Sequence, residues 1–285
     1  MSTEENRAIP QDGLLDLAWR SAVGAAMFLA YERPAALEVE AKSTPTDAVT
    51  QMDRGAEERI VAMIRRERPD DAILGEEGGA RSGTTGMRWV IDPLDGTVNY
   101  LYDLPCWAVS VGVEDATGAY AGVVVSPTLG MAWVAVRDQG AFACDVSMND
   151  GVTAPALPAS GRVLVPSDVS DLGATLVATG FGYDAARRLR QGAVVADLLG
   201  QVRDIRRIGA ATVDMCFVAS GRSDAFFEVG LKPWDLCAAS LIAREAGAVV
   251  RPIGGTDPGD GVLVSAPRIA DPLLSVLEGL GAHRV

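Results

Sequence analysis

The spacing of apolar residues changes near residue 150, and this change constrains the fold more than any other feature of the sequence. Before it, strand-like stretches follow one another with only turns between them, at Trp107–Val113, Tyr120–Val125 and Met131–Val136. Strands this close, with few helical patterns, indicate an antiparallel sheet. After it, short apolar strands alternate with helical patterns. That alternation is typical of an α/β arrangement.

The individual elements follow from the period of the apolar residues. In the first half we predict helices over Leu14–Tyr31 and about Asp53–Glu67, and strands over Ala72–Gly75 and Met87–Ile91. In the second half we predict strands at Val163–Val165, Leu176–Ala178, Ala225–Glu228 and Ala248–Val250. Helices are predicted there near 185–199, 210–219, 234–246 and 271–280.

A stretch rich in Asp, Asn, Gly, Pro and Ser, residues 145–161, is the best candidate linker between these halves. We therefore predict an α+β half over residues 1–150 and an α/β half over residues 151–285, packed as one body.

The charge and cysteine content exclude several classes of protein. The formal net charge of −13 argues against nonspecific binding to nucleic acid or to anionic membranes. An anionic substrate fits such a chain only if some acids hold divalent cations, which invert the local sign of the charge. The sequence lacks a run of about eighteen apolar residues, and its start is polar, so we expect neither a membrane span nor a secretion signal. The four widely spaced cysteines fit reduced thiols in a cytoplasmic protein.

The single histidine, His283, lies at the third position from the end of the chain. A Ser-His-Asp triad, a Cys-His pair and the usual zinc sites all require a positioned imidazole. Hydrolytic chemistry in this chain would therefore rest on carboxylates, hydroxyls, lysine and hard metal ions.

Acidic residues stand at four places where they could supply such chemistry. Asp92 and Asp95 flank Pro93-Leu94 after an apolar strand, and two carboxylates on such a turn can converge on shared cations. Each acidic feature also has an ordinary structural interpretation, since Asp-Pro and Asp-Gly form β-turns. The other places are Asp53, a possible first-turn helix acid, the pair Glu76-Glu77, a possible exposed turn, and Asp235, a possible helix N-cap.

Together these acids form a set of oxygen ligands without a soft competitor, which favours Mg²⁺ over Zn²⁺. Two such cations about 3.5–4 Å apart can activate a water and stabilise a leaving alkoxide. Lys42, in a polar loop, is most simply a solvated surface lysine.

Several of these residues lie in motifs that resemble the inositol monophosphatase family of Mg²⁺-dependent, Li⁺-sensitive phosphatases. The most specific motifs are Trp89-Val-Ile-Asp-Pro-Leu-Asp-Gly-Thr-Val-Asn-Tyr100 and Trp234-Asp235, with Gly75-Glu-Glu77 before them. The similarity extends in order through Lys42–Asp47, Val49–Asp53, Gly140–Phe142, Ile205–Ala211 and Glu245–Gly247, and so spans most of the chain. A glycine-rich turn, Gly180–Asp184, is similar to that of bacterial-type members.

The resemblance implies a layered αβαβα fold of the inositol monophosphatase and fructose bisphosphatase type, a Mg²⁺ cofactor, inhibition by Li⁺ and a homodimer. The half 1–150 would then bind metal and phosphate, and the half 151–285 would complete the site. The resemblance further implies that Glu76, Asp92 and the Leu94 carbonyl hold a first metal, and that Asp92, Asp95 and Asp235 hold a second.

The same resemblance assigns roles around the substrate. Thr97, hydrogen-bonded to Asp53 and assisted by Glu76, would activate the attacking water. The amides of Gly96 and Thr97 would receive the phosphate, while Asp95, the backbone near Ala211, and Glu228 would contact substrate hydroxyls. Lys42 would lie in a mobile loop near a third, weaker ion. The expected partner is a small phosphorylated polyol or sugar, with inositol 1-phosphate as the leading candidate.

Three alternatives stay open at this point. A haloacid-dehalogenase-type phosphatase also uses an Asp-x-Asp-Gly-Thr signature, but its two aspartates are two residues apart, whereas Asp92 and Asp95 are three apart. A related phosphatase could act on fructose 1,6-bisphosphate, histidinol phosphate or a nucleotide 2′- or 3′-phosphate. The chain could also serve as a regulatory binding protein with secondary phosphatase activity.

Overall fold

The computed structural model describes residues 5–44, 47–147, 155–256 and 260–285. Seven α-helices lie in this part of the chain: α1 Gly13–Tyr31, α2 Gln51–Glu67, α3 Thr97–Leu101, α4 Ala185–Leu198, α5 Ala211–Ala219, α6 Pro233–Glu245 and α7 Ala270–Gly279. The strands of the first half are β1 Asn6–Ala8, β2 Val39–Ala41, β3 Ala48–Thr50, β4 Ala72–Gly75, β5 Gly79–Arg81, β6 Arg88–Asp95, β7 Ala108–Asp115, β8 Gly118–Ser126, β9 Met131–Val136 and β10 Ala141–Asp145. Six more follow: β11 Ser160–Val163, β12 Leu176–Thr179, β13 Asp204–Arg206, β14 Ala225–Glu228, β15 Val249–Pro252 and β16 Val262–Ser265.

The strands form two large sheets and one small ribbon. The larger sheet has nine strands in the order β1-β11-β10-β9-β8-β7-β6-β4-β5, and all neighbours are antiparallel except β4 and β6. The second sheet has five strands in the order β13-β12-β14-β16-β15, with parallel pairs on the β12 side. A two-stranded ribbon joins β2 to β3.

Helices and sheets alternate in five layers, which confirms the predicted αβαβα fold. Helices α1 and α2 cover one face of the nine-stranded sheet, and α5 and α6 fill the space between the two sheets. Helices α4 and α7 cover the outer face of the five-stranded sheet. Strand β7 shows why the layers form: Val109, Val111 and Val113 pack toward α1, whereas Ala108 packs toward the middle layer.

Most predicted elements are present, and the differences have local causes. The strand predicted at Val163–Val165 is found at Ser160–Val163 and pairs with β1 and β10, so it belongs to the nine-stranded sheet rather than to the second half. The strand predicted to end at Ile91 continues to Asp95, because a shift in register after Asp92 accommodates Pro93. Part of the predicted linker, residues 148–154, lies outside the described residues.

Helix α1 is long and apolar enough to cross a membrane by length and composition alone. However, 61% of the apolar stretch of this helix is buried inside the protein. Its inner face packs on α2 and on strands β7 and β8. Helix α1 therefore serves as a core helix of the outer layer.

The middle layer approaches the nine-stranded sheet most closely at two glycines. Gly112 of β7 and Gly122 of β8 are directly paired across the two strands. A Cβ atom at Gly122 would lie 2.8 Å from the Cα atom of Ala238, and one at Gly112 would overlap the Cys237 side chain. The missing side chains therefore let the first half of α6 lie directly on the sheet.

We expect Gly122→Ala to lower the free energy of unfolding by about 1–3 kcal/mol, because the added methyl group pushes α6 away from the sheet. The matched control is Gly192→Ala in α4, where a Cβ atom would meet nothing within 4 Å. That change should instead raise stability by about 0.5–1 kcal/mol, since alanine favours a helix over glycine. Urea unfolding midpoints compare the two variants, and equal effects at both positions would contradict the close approach.

Candidate active site

The predicted site residues come together around one cleft with a volume of about 460 Å³. The cleft is lined by the end of β6, the starts of α5 and α6, the end of β14 and the loop that carries Lys42. The sequence-predicted residues that line it are Lys42, Glu76, Asp92, Leu94, Asp95, Gly96, Thr97, Ala211, Glu228 and Asp235. Asp53 lies behind Thr97 and is almost fully buried.

Strand β6 brings Asp92 and Asp95 to the cleft on either side of an irregular step. Asp92 lies opposite Ser110 of β7, whereas Asp95 lies opposite Ala108, so the register shifts between them. The Leu94 amide donates to Asp92 Oδ1 at 3.1 Å. This step places both carboxylates at the cleft instead of on opposite faces of a regular strand.

Asp95 connects the nine-stranded sheet to the start of α5. The amide of Ala211 donates to Asp95 Oδ1 at 3.2 Å, and the amide of Thr212 donates to Asp95 Oδ2 at 2.7 Å. The Thr212 hydroxyl also donates to Oδ2. The backbone near Ala211 therefore holds a carboxylate that the resemblance assigns to metal and substrate.

Asp53 connects the start of α2 to the hydroxyl of Thr97. Its Oδ2 accepts hydrogen bonds from the amide of Thr50 at 2.9 Å and from the Thr50 hydroxyl at 2.6 Å, so it completes a capping box. Its Oδ1 accepts from Thr97 Oγ1 at 3.0 Å. Asp53 is thus both a first-turn helix acid and the hydrogen-bond partner of Thr97. Thr97 Oγ1 also lies 3.0 Å from the Leu94 carbonyl oxygen.

Asp235 occupies a different helix position from the predicted N-cap. Helix α6 begins earlier, with Lys232 as its N-cap residue and Pro233 in the first turn. Asp235 is therefore the third helical residue, and its Oδ2 accepts from the Lys232 amide at 2.6 Å. The helix starts earlier because proline is readily accommodated at the first helical position. Within the described ranges, no backbone amide donates to the second oxygen of this carboxylate.

Glu76 and Glu77 follow β4 and meet the ammonium group of Lys42. Lys42 Nζ lies 2.7 Å from Glu76 Oε1 and also contacts Glu77 Oε1. Its side chain is only 24% exposed, so Lys42 is not the freely solvated lysine of the simplest interpretation. Residues 45 and 46 of the same loop motif lie outside the described residues.

Burial and repulsion between neighbouring charges make the ionised form of the cleft carboxylates unfavourable. Burial raises the pKa of Asp92 well above its usual value, and the charges of Glu76, Asp95 and Asp235 raise it further. The pKa of Asp235 is also raised, mainly by burial and secondly by the charge of Asp95. A carboxylate in such surroundings needs a compensating positive charge.

The chemistry of these donors fits a hard divalent cation. Within the described part of the chain, no three acidic, histidine or cysteine side chains form a ready-made metal-binding group. Glu76, Asp92, Asp95 and Asp235 nevertheless share one cleft, burial raises the pKa of each, and they offer only oxygen ligands. A bound cation would relieve their repulsion, and oxygen ligands of this kind suit Mg²⁺.

The far wall of the cleft contains polar residues that the sequence analysis did not single out. Arg187, Arg207 and Asp214 line the cleft together with the predicted residue Glu228. Asp214 is 1% exposed, and its Oδ1 has no hydrogen-bond partner among the residues that the structure describes. The Nε atom of Arg187 is likewise buried without a partner in the described part of the chain. Asp214 could have been suspected as a charged residue in the apolar pattern of α5, whereas Arg187 stands among other arginines of a surface helix and carries no such signal.

Comparison with known proteins agrees with the fold. The five-layered fold of this chain is that of the solved inositol monophosphatase and SuhB proteins. The extragenic suppressor protein SuhB of Bartonella henselae superposes with a TM-score of 0.82 and 30% identity, covering 94% of this chain and 99% of that one. The IMPase of Thermotoga maritima superposes with a TM-score of 0.81 and 27% identity, covering 95% and 99%.

Sequence comparison identifies the family. The model of the inositol monophosphatase family matches residues 12–281. The inositol-1-monophosphatase of Mycobacterium leprae is 41% identical over 251 residues, which cover 84% of this chain and 81% of that protein. The Nus factor SuhB of Escherichia coli K12 is 38% identical over 246 residues, covering 85% and 86%. The chain belongs to the inositol monophosphatase family, as the sequence motifs indicate.

Glu228 offers a test of the electrostatics of the cleft. Burial and the charge of Asp95 raise its pKa to about 7, although Arg207 and Arg187 act in the opposite direction. Between the unfolded pKa and about 7 the folded protein therefore binds more protons than the unfolded chain, and stability falls as the pH rises. Glu228→Gln should remove this loss. It should be more stable than the wild type at pH 8, by on the order of 1 kcal/mol after solvent screening, and equal to it near pH 5.

Thermal unfolding in a chelating buffer at both pH values measures this difference. Glu58→Gln, at an exposed position of α2, is the control and should show no pH-dependent difference. A Glu228 variant that is no more stable than the wild type at pH 8 would contradict the raised pKa.

Proposed function

We propose that this protein is a Mg²⁺-dependent phosphatase that hydrolyses a small phosphate monoester, with inositol 1-phosphate as the leading substrate. The observation that carries the proposal is the shared cleft of Glu76, Asp92, Asp95 and Asp235, where burial raises the pKa of every one of these carboxyl groups. Four acids would repel a phosphate unless cations stood between them. Family membership and the inositol-1-monophosphatase relatives support the same activity.

The proposed ligands follow the family resemblance. Glu76, Asp92 and the Leu94 carbonyl oxygen would hold one Mg²⁺, and Asp92, Asp95 and Asp235 would hold another. When bound, Mg²⁺ would supply Lewis-acid stabilisation of the charge that develops on the phosphoryl group and on the leaving oxygen.

Thr97 is the residue best placed to orient the attacking water. Its hydroxyl has one proton, which it donates to Asp53 or to the Leu94 carbonyl oxygen, each 3.0 Å away. The lone pairs of Oγ1 remain free to accept a hydrogen bond from a water in the cleft. The proton lost by that water could pass through Thr97 to Asp53, whose pKa is raised by burial. Glu76, across the cleft, would assist.

The substrate would lie between the start of α3 and the far wall. Gly96 adopts a left-handed conformation with φ of 90°, and a side chain there would meet the Cys106 carbonyl oxygen and the Ala210 side chain. The amides of Gly96 and Thr97 would then receive the phosphate, and Lys42 would lie near the entrance. Asp95, the backbone near Ala211, and Glu228 would contact the substrate hydroxyls, and hydrolysis would release the alcohol and inorganic phosphate.

Two alternative functions are each favoured by one observation. Arg187 and Arg207 add positive charge to the far wall, which favours substrates with a second anionic group, such as a sugar bisphosphate. Relatives of similar identity are named Nus factor SuhB, which favours a binding role beside or instead of catalysis. Both candidates are resolved by the same substrate panel.

Asp92→Asn should lower phosphate release by at least about 10³-fold, because it removes a ligand proposed to be shared by both cations, and cation stabilisation is worth several kcal/mol. Release would be measured with Mg²⁺ from inositol 1-phosphate, fructose 1,6-bisphosphate, histidinol phosphate and a nucleotide 3′-phosphate. Asp204→Asn, at an exposed position outside the cleft, is the control and should retain wild-type rates.

Rapid release from inositol 1-phosphate by the wild type, but not by Asp92→Asn, would support both the proposed mechanism and the proposed substrate. Preference for another ester would keep the mechanism and change the substrate. Full activity after exhaustive chelation would refute the role of Mg²⁺. If the wild type releases phosphate from none of these esters, a binding role becomes the better interpretation.

The proposal includes a homodimer, as the family resemblance implies, and a cytoplasmic location, which fits the widely spaced cysteines. Sedimentation at micromolar protein concentration measures the first of these properties. We expect a species of twice the chain mass, and a monomer would overturn that part of the proposal.

A further inference from the structure

Helix α2 carries two buried acids one turn apart, of which the proposed mechanism uses one. Asp53 and Glu57 both lie on the core face of the helix, in line with the apolar residues Ile60 and Ile64. Asp53 is 1% exposed and Glu57 is 5% exposed. An acid on the apolar face of a helix is costly unless it is fully hydrogen-bonded, so Glu57 must have a specific partner.

The partner of Glu57 is the backbone of the loop that carries Glu76. Glu57 Oε2 accepts a hydrogen bond from the amide of Glu77 at 2.9 Å, and Oε1 accepts one from the amide of Gly78 at 2.5 Å. Hydrogen bonds from amides to a carboxylate are stronger than those to a neutral acceptor. Both oxygens of one side chain therefore hold two consecutive peptide groups, directly after the proposed metal ligand.

The loop contains glycines where Glu57 contacts it. A Cβ atom at Gly75 or at Gly78 would lie 2.5 Å from the Glu57 carboxylate. The two glycines therefore allow the backbone before and after Glu76 to close around the Glu57 side chain. The amide of Glu76 itself donates to the Ile91 carbonyl oxygen at 3.2 Å, so the other side of the loop is held by β6.

We infer that Glu57 is a positioning residue for the proposed metal site, which it serves by fixing the backbone of Glu76–Gly78 and hence the direction of the Glu76 carboxylate. The inference rests on the proposed function. It adds a residue that contacts neither metal nor substrate and acts through the loop alone. Groups that hold a metal ligand in place typically affect metal affinity or activity by about 10–100-fold when they are removed.

The spacing of the two acids on α2 explains why one helix carries both. Asp53 holds the Thr97 hydroxyl, and Glu57, about 6 Å further along the helix axis, holds the Glu76 loop. Thr97 and Glu76 are the two groups proposed to act on the attacking water. Helix α2 therefore sets their separation through two hydrogen-bonded carboxylates on one rigid element.

The test compares Glu57→Gln with Glu58→Gln, its exposed neighbour on the same helix. Glutamine keeps the shape of the side chain but can accept only through one atom, so one of the two loop amides loses its partner. We expect Glu57→Gln to weaken the binding of Mn²⁺, measured by calorimetry without substrate, by about 10-fold. In steady-state assays kcat should fall while KM changes less than about two-fold, and higher Mg²⁺ should restore part of kcat. Glu58→Gln should match the wild type in every measurement.

Gly78→Ala tests the same contact from the loop side and covers the case in which Glu57→Gln does not fold. It should weaken Mn²⁺ binding in the same way, because the new methyl group displaces the Glu57 carboxylate. If the folded variants bind Mn²⁺ as tightly as Glu58→Gln, the inference is wrong even if their thermal stability is reduced. A wild type that neither binds Mn²⁺ nor releases phosphate would instead overturn the proposed function together with this inference.

Discussion

Repulsion between buried carboxylates is the constraint on which the arrangement of this protein depends. Burial raises the pKa of Asp92, Asp95 and Asp235, and the charge of Asp95 raises the pKa of the other two further, so a chain that brings them together must hold each one by other interactions. Hydrogen bonds from backbone amides supply this support: Leu94 donates to Asp92, Thr212 to Asp95 and Lys232 to Asp235. An amide provides a partial positive charge without a side chain that would block the cleft. Each carboxylate thus keeps lone pairs available for a cation.

The two sheets contribute unequally to this arrangement, and the middle layer joins them. The nine-stranded sheet carries Asp92 and Asp95 on β6, while α5 and α6 bring Thr212 and Asp235 from the second half of the chain. Helix α6 reaches the sheet because Gly112 and Gly122 leave room for its first turns. The site is therefore a product of tertiary packing and belongs to neither half alone.

The sequence was most informative where chemistry and local geometry coincide. The motif from Asp92 to Thr97 predicted a turn with converging carboxylates, and the layered fold was predicted correctly through the family resemblance. Predictions from the local sequence were wrong where the chain can adopt two backbone conformations of similar free energy. Pro93 ends a regular strand, but a shift in register lets β6 continue, and Asp235 can cap a helix or stand in its first turn. Contacts across long separations, such as Glu57 with the amide of Glu77, could not be predicted from spacing. The available signal was an acid on the apolar face of α2.

Strand β11 has a consequence for how the chain can be divided. It follows the proposed boundary near residue 150, yet it returns to the nine-stranded sheet and pairs on one side with β10 and on the other with β1. A fragment that stopped at the boundary would lack β11, and β1 would lose the strand with which it pairs. Strand β10 would then become an open edge, with unpaired amides and carbonyls along an otherwise buried, apolar segment. Such edges recruit strands from other molecules, so the first half on its own would be prone to aggregate.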